Sequence, residues 1–276
     1  MKKLSIILLT MLIISMSISG NCITASAASN EADYSVTNNQ SNQPTLLKSE
    51  KDYIGGVEVE VNQYNDNGYI VETVGIAENS TNTKSLTNDT VLQKDFKNEL
   101  MKYGDSRYLD YYGYTHGDTD NQQLHTMSYS GPYEYHKGEQ CSTNSNCYVG
   151  HWGFITATTL TPFVIEAYDG ACRGLYSTGT AKNIQLSETY SFSGLALSIS
   201  WPAGVSLSGS GQSRTWSSIP YNSTSMATAY RPDFSGTSLT SIWSVTIDSR
   251  SDIYIGSISY ATTVSTSAGV WDWVGL

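Results

Sequence analysis

The sequence is poor in charge, and above all in positive charge. Only 14% of its residues are Asp, Glu, Lys or Arg, whereas a typical soluble domain has about 25%. The 15 Lys plus Arg face 25 Asp plus Glu, which gives a net charge of -10. Phosphate contacts need clustered basic side chains, so the composition excludes a nucleic-acid-binding protein. It also excludes attachment to anionic lipids by charge alone.

Long apolar runs are missing too, except at the N-terminus. Lys2 and Lys3 precede an apolar stretch over residues 4–18, and residues 25–28 read Ala-Ser-Ala-Ala. A basic start, a short apolar run and a small-residue cleavage pattern, in this order, are typical of a secretory signal peptide. We therefore predict that residues 1–28 are a signal peptide, cleaved after Ala27 or Ala28, and that the mature protein is secreted and extracellular.

Cysteine is scarce. The chain has four cysteines, and removal of the leader takes Cys22 and leaves Cys141, Cys147 and Cys172. In an oxidising compartment, an odd number predicts one disulfide and one remaining thiol, or an intermolecular bond. Chain entropy alone does not decide the pairing. Because residues 142–146 are typical turn formers, we expect the disulfide to join Cys141 and Cys147.

Composition divides the next part of the chain into two segments. Residues 29–50 are polar and nearly lack large apolar side chains, which predicts a disordered arm. Residues 51–104 contain two alternating runs around the loop 65–68, which favours a β-hairpin, and then a helix over about 90–103 that Gly104 ends. This hairpin-plus-helix segment is more highly charged than the rest, so it is either a pro-region or a subdomain that stays attached.

Residues 105–276 are predicted to form one Tyr-rich and Ser/Thr-rich β domain. Apolar and hydroxyl residues alternate with period two over 195–216 and 239–264. A loop is expected over 248–252 and a β-bulge at Gly256. The fold class is therefore mainly β: an antiparallel β-sandwich or barrel-like domain, preceded by the small hairpin-plus-helix segment.

Tyrosine is abundant, with 20 residues, and many of them lie between residues 103 and 148. A ring with a polar tip gives a large contact area at low entropic cost, which suits sugar faces and protein surfaces. Tyrosine is also common in strands, so the core is an alternative place for many of these rings. The predicted binding residues are Tyr108, Tyr111, Tyr112, Tyr114, Tyr129, Tyr133, Tyr135 and Trp152.

Catalytic and metal-binding motifs are weak. All four histidines, His116, His125, His136 and His151, lie in one region near the cysteines. Cys147 and His151 are weak candidates for a thiol hydrolase, but no helix start is placed to lower the pKa of the thiol. The G-x-S-x-G motif is absent, and no zinc motif or carboxylate pair stands out by its spacing. We therefore expect no metal and no cofactor.

Three functions remain open. The first is a secreted, non-enzymatic effector or binding protein whose partner is an extracellular glycan, an envelope or a cell-surface target. The second is a membrane-damaging toxin or bacteriocin of the β-pore-forming type, which would use the alternating strands of 195–264 after a conformational change. The third is a secreted hydrolase with a Cys/His site. Nucleic acid is not expected as a partner.

Overall fold

The computed structural model describes residues 23–26, 43–77, 90–112, 129–158, 163–195, 198–209, 212–238 and 241–269. This part is mainly β, with two antiparallel sheets in a sandwich-like arrangement and one helix, which confirms the predicted fold class. The elements in chain order are β1 (Ile23–Ser26), β2 (Thr45–Ile54), β3 (Val57–Asp66), β4 (Tyr69–Ile76), α1 (Thr90–Tyr112), β5 (Tyr129–Cys141), β6 (Asn144–Thr158), β7 (Phe163–Tyr176), β8 (Ala181–Leu195), β9 (Ser198–Ser200), β10 (Ser213–Ser217), β11 (Tyr221–Thr224), β12 (Met226–Arg231), β13 (Phe234–Ser238), β14 (Ser241–Ile255) and β15 (Ile258–Gly269).

The two sheets differ in size. Sheet A has six strands in the order β1-β15-β14-β8-β10, and β11 also pairs with β8. Sheet B has nine strands in the order β2-β3-β4-β12-β7-β13-β9, and β5 joins it through β6, which pairs with β7. Strand β1 lies inside the predicted signal peptide and pairs with β15, so the predicted cleavage would remove it.

The core between the sheets is built from the inward residues of alternating strands. Sheet A contributes Ile184, Leu186 and Val245 among others, and sheet B contributes Ile155 and Ala229. Burial of this apolar surface is the main force that holds the two sheets together.

The predicted hairpin is confirmed as β3 and β4. Its turn is Asn67-Gly68, and both residues have positive φ angles, 54° and 88°. Two-residue turns with two positive φ angles match the twist of antiparallel strands, and Asn-Gly is the favoured sequence for them. The hairpin is not structurally separate, because β4 pairs with β12 inside sheet B.

The disordered arm was predicted to extend to residue 50, and this end is wrong. Residues Thr45–Glu50 are the first part of β2 and pair with β3. Their side chains are mostly exposed, so the strand is held by its backbone hydrogen bonds to β3 rather than by apolar burial. Residues 29–42 lie outside the described part of the chain.

The predicted end of the helix is also wrong. Helix α1 continues through Gly104 to Tyr112, so it crosses the predicted boundary between residues 104 and 105. A Cβ at Gly104 would lie 2.5 Å from the guanidinium carbon of Arg173. Gly104 therefore permits a close approach to sheet B and does not cap the helix.

Helix α1 covers the outer face of sheet B. Phe96 and Leu100 pack there against Val59, Val61 and Val74 of the hairpin. Within the described ranges, no helix combines the length and apolar character that a membrane span requires.

The expected loop at 248–252 is part of a strand. β14 runs without interruption to Ile255, and Gly256, with φ 61°, lies in the turn before β15 rather than in a bulge. The polar residues 248–252 remain in the strand because Ser249 and Ser251 point inward and are buried.

Candidate functional site

A pocket lies between α1 and the β5–β6 hairpin. Its cavity volume is about 170 Å³, and it is partly open to solvent. Its walls come from one turn of the helix and from two neighbouring strands. The lining residues are Asp105, Tyr108, Leu109, Glu134, Tyr135, His136, Trp152, Gly153 and Phe154. A concave, largely aromatic site with a few polar groups is the usual form of a ligand pocket.

Strand alternation explains which side chains face this pocket. On β5, Glu134 and His136 are exposed, whereas Tyr135 between them is buried. On β6, Phe154 and Trp152 are their direct partners. Side chains alternate between the two faces of a strand and paired residues share a face, so these four form one outer surface. Tyr135 extends to the inner face, although part of it still lines the pocket.

Two tyrosine hydroxyls hold the helical wall in place. Tyr108 donates a hydrogen bond to the carbonyl of Asp169 at 2.8 Å, and Tyr112 donates to that of Gly170 at 2.7 Å. Both carbonyls lie where the β6–β7 register shifts, and such irregularities leave backbone groups without ladder partners. The two hydroxyls satisfy these groups, so the ring of Tyr108, rather than its hydroxyl, is available to a ligand.

Two ion pairs attach the same helix to the sheet. Arg107 Nη2 lies 2.7 Å from Glu72 Oε2, and Arg173 Nη1 lies 2.8 Å from Asp105 Oδ1. The hydrogen bond to Glu72 raises the pKa of Arg107. The side chains of Glu72 and Arg173 are each only 1% exposed. Because a buried charge without a partner is costly, these pairs fix the position of α1 over sheet B.

Trp152 is the central ring of the pocket wall. Its centroid lies 5.2 Å from that of Tyr108 and 5.5 Å from that of His136, both in edge-on arrangements. The guanidinium carbon of Arg173 lies 4.5 Å from the same ring. Edge-to-face and cation–π contacts each stabilise one ring orientation. The wall is therefore organised before any ligand binds.

The predicted aromatic surface overlaps this pocket in part. Tyr108, Tyr135 and Trp152 line it. Tyr111 is exposed beside it, and its ring stacks on that of Tyr230 in β12, with centroids 4.1 Å apart. The hydroxyl of Tyr112 donates the hydrogen bond to Gly170 described above. The role of these residues in binding stays a prediction.

The other predicted residues are not placed by the structure. Tyr114 lies outside the described residues, and so do the side chains of Tyr129 and Tyr133. Six lining residues were not predicted as binding residues: Asp105, Leu109, Glu134, His136, Gly153 and Phe154. Period-two alternation was the signal for two of them, since it places Glu134 and His136 on the face opposite Tyr135.

A second polar cluster lies between the sheets, closed off from solvent. Glu188 accepts hydrogen bonds from Ser249 Oγ at 2.9 Å and from the Tyr190 hydroxyl at 2.5 Å. Arg231 Nη1 lies 3.7 Å from the same carboxylate. Ser249 Oγ also lies 3.0 Å from His151 Nδ1. Because the single hydroxyl proton of Ser249 goes to Glu188, His151 Nδ1 is the donor in this contact.

The other ring nitrogen of His151 completes a link between the sheets. Nε2 lies 2.8 Å from Thr266 Oγ1 and accepts a hydrogen bond from this hydroxyl. Burial, followed by the nearby charge of Arg231, lowers the pKa of His151 to about 3. The imidazole is therefore neutral at physiological pH and connects β6 of sheet B to β14 and β15 of sheet A.

Cys147 and His151 do not form a nucleophile and base pair. They lie four positions apart on β6, which separates their Cα atoms by about 13 Å. Both nitrogens of the histidine are already hydrogen bonded. Burial raises the pKa of the Cys147 thiol to about 12, which is the opposite of what a reactive cysteine needs.

The predicted Cys141–Cys147 disulfide is wrong. Cys147 and Cys172 are free, buried thiols. The β5–β6 hairpin closes where Cys141 pairs with Asn144, and the pairing partner of Cys147 is Tyr176 on β7. The turn therefore ends before Cys147, which becomes part of the core instead of facing the opposite cysteine.

Comparisons with known proteins give no family. No protein-family model matches the chain, and no curated protein is significantly similar to it. Among the residues that the structure describes, no three His, Cys, Asp or Glu side chains are grouped so that they could hold a metal ion.

Proposed function

We propose that this protein is a secreted, non-enzymatic binding protein that recognises a sugar unit of an extracellular glycan, an envelope or a cell surface. The pocket between α1 and the β5–β6 hairpin is the proposed sugar site. One observation carries the proposal: the rings of Tyr108, Trp152 and Phe154 converge there with the polar side chains of Glu134 and His136.

The chemistry of a sugar matches this combination. A pyranose ring has apolar C–H faces and a rim of hydroxyls, so it needs flat rings to pack on and polar atoms at the edge. Aromatic side chains provide the first, and a carboxylate and an imidazole provide the second. The cavity volume of about 170 Å³ is smaller than the about 300–1,000 Å³ that is usual for drug-sized ligands, so the pocket is sized for one unit of a glycan rather than for an extended chain.

Two further arguments support the rest of the proposal. The extracellular location rests on the predicted signal peptide over residues 1–28. The Cys/His hydrolase is disfavoured, because the separation of Cys147 and His151 and the hydrogen bonds of the histidine leave neither able to activate the other. The net charge of -10 also fits a ligand that is not a polyanion.

Binding to a panel of immobilised glycans and insoluble cell-wall polysaccharides tests the proposal. His136→Ala removes an exposed ring of the pocket, and Leu109→Trp fills part of it. Tyr53→Ala is the matched control, because Tyr53 is an aromatic residue on β2, away from the pocket, and is 68% exposed.

Wild-type protein is expected to bind at least one glycan of the panel. Each pocket variant should weaken binding about tenfold, which corresponds to about 1.4 kcal/mol, while Tyr53→Ala binds like wild type. Failure to bind any glycan, or equal binding by all four proteins, would overturn the proposal.

Membrane damage is a second candidate function, and the β14–β15 hairpin is the observation that favours it. Its strands have 15 and 12 residues, and a spanning β-strand needs about 9–11. On β14, Val245 and Ile247 are buried while Thr246 and Asp248 are partly exposed. Dye release from liposomes, before and after light trypsin treatment, tests this function. Release together with large oligomers would support it, and no release would exclude it.

A further inference from the structure

The charges around the pocket do not cancel. Asp105 is neutralised by its ion pair with Arg173, at 2.8 Å. Glu134 is exposed and forms no ion pair with any residue that the structure describes. No lysine or arginine is among the lining residues. The pocket therefore carries one uncompensated carboxylate, in a protein whose net charge is already -10.

The free carboxylate stands directly beside an aromatic ring. Glu134 on β5 pairs with Phe154 on β6, and the Cβ atoms of such cross-strand partners lie about 5 Å apart. The Phe154 ring is itself fixed by stacking on Tyr168, with centroids 5.4 Å apart. A cation at this place is attracted both by the carboxylate and by the π-system of the ring.

A neutral or anionic group fits the part of the pocket beside Glu134 and Phe154 less well. A neutral hydroxyl would donate one hydrogen bond to Glu134 but would leave the charge of the carboxylate uncompensated. A carboxylate or phosphate would be repelled, because no basic side chain lines the pocket. The charges of the lining residues therefore favour a cationic ligand over a neutral or anionic one.

We propose that the ligand carries a protonated amino group that binds Glu134, so that the recognised unit is an amino sugar whose nitrogen is not acetylated. This inference rests on the proposed function, since it names the kind of sugar that the same pocket takes. The pyranose ring would pack on the aromatic wall of Tyr108 and Trp152, with its ammonium group toward β5.

Calorimetric titration with two oligosaccharides of equal length tests the inference. One is an oligomer of glucosamine, and the other is the same oligomer fully N-acetylated. The variant is Glu134→Gln, which keeps the shape and removes the charge. Glu139→Gln is the matched control, because Glu139 is also exposed on β5 but does not line the pocket.

Wild-type protein and Glu139→Gln should bind the glucosamine oligomer about fivefold more tightly than the acetylated one, as expected for an exposed ion pair of about 1 kcal/mol. Glu134→Gln should remove this preference, and added salt should reduce it in wild type. Choline is added as a competitor to separate an amino sugar from other cationic ligands.

Four results would overturn the inference. If wild type binds the acetylated oligomer equally well or better, the amino group is not recognised, while sugar binding itself stands. Unchanged preference in Glu134→Gln would show that this carboxylate does not carry the recognition. If only choline competes, or neither oligomer binds, the amino-sugar assignment is wrong, and the glycan panel decides separately whether the proposed function also fails.

Discussion

Replacement of His151 by glutamine should remove a large part of the pH dependence of stability. His151 links the sheets by donating to Ser249 and accepting from Thr266. A glutamine amide also provides an N–H donor and a carbonyl acceptor, but it does not titrate. The variant therefore keeps a side chain that can donate to Ser249 and accept from Thr266, but this side chain does not titrate.

The size of the effect follows from the two pKa values. The pKa of His151 is about 3 in the folded protein, against 6.5 for an unperturbed histidine. Between these values the unfolded chain takes up a proton that the folded protein does not, so stability is full above pH 6.5 and falls as the pH drops toward 3. At pH 4 this single group removes about 3 kcal/mol, a large part of the roughly 5–15 kcal/mol that stabilises a typical domain.

Urea unfolding followed by tryptophan fluorescence at several values between pH 7 and pH 4 measures this difference. Wild type should lose about 3 kcal/mol more than His151→Gln over that range. His136→Gln is the matched control, because His136 is an exposed histidine on the neighbouring strand, and it should behave like wild type. Parallel loss of stability in wild type and His151→Gln would refute the reasoning.

Two other predictions concern helix α1. Arg107→Ala leaves the buried Glu72 without its ion-pair partner and should lower the free energy of unfolding by about 3 kcal/mol. Lys102→Ala, which breaks an exposed pair, should leave the free energy of unfolding nearly unchanged. Urea unfolding measures both, and equal effects would contradict the role of the buried pair. Gly104→Ala should destabilise the protein by about 1–3 kcal/mol, because the new Cβ would lie 2.5 Å from the Arg173 guanidinium in a packed site. Helix propensity alone predicts stabilisation by about 1 kcal/mol, so a higher melting temperature would show that Arg173 moves aside.

Local patterns predicted local structure well. Asn67-Gly68 forms the turn that its residue types favour, since both positions need a positive φ. The class of fold was also predictable, because period-two alternation of apolar and hydroxyl residues can bury only one face of a strand. The order of strands within the two sheets was not predictable, since it depends on pairings between residues far apart in the chain, such as β4 with β12.

The wrong predictions arose where long-range contacts override local preference. Gly104 looks like a helix end, but it is needed for the approach of Arg173. Ser249 lies in a polar run that reads as a loop, yet its hydroxyl is buried against Glu188 and His151. Neither partner can be found from the neighbouring sequence, because the partners lie on other strands.

The candidate site was predictable only in outline. A dense region of aromatic residues indicated a binding surface, and three of its members line the pocket. We predicted Tyr135 as a surface residue because it belongs to the tyrosine-rich region. Strand alternation instead directs its side chain to the face opposite Glu134 and His136. The helical wall could not be foreseen, because it depends on the hydroxyl tethers of α1 to the carbonyls of Asp169 and Gly170.

The position of a bound sugar tests the central claim most directly. NMR chemical-shift mapping of the 15N-labelled protein, with the oligosaccharide of the panel that binds most tightly, reports which residues the sugar contacts. The account predicts the largest shifts at Trp152, Glu134 and His136 and along the α1 turn from Asp105 to Leu109, with a crystal structure of the complex showing a sugar ring there. Shifts confined to the hydroxyl-rich outer face of sheet A, with the pocket unchanged, would contradict it.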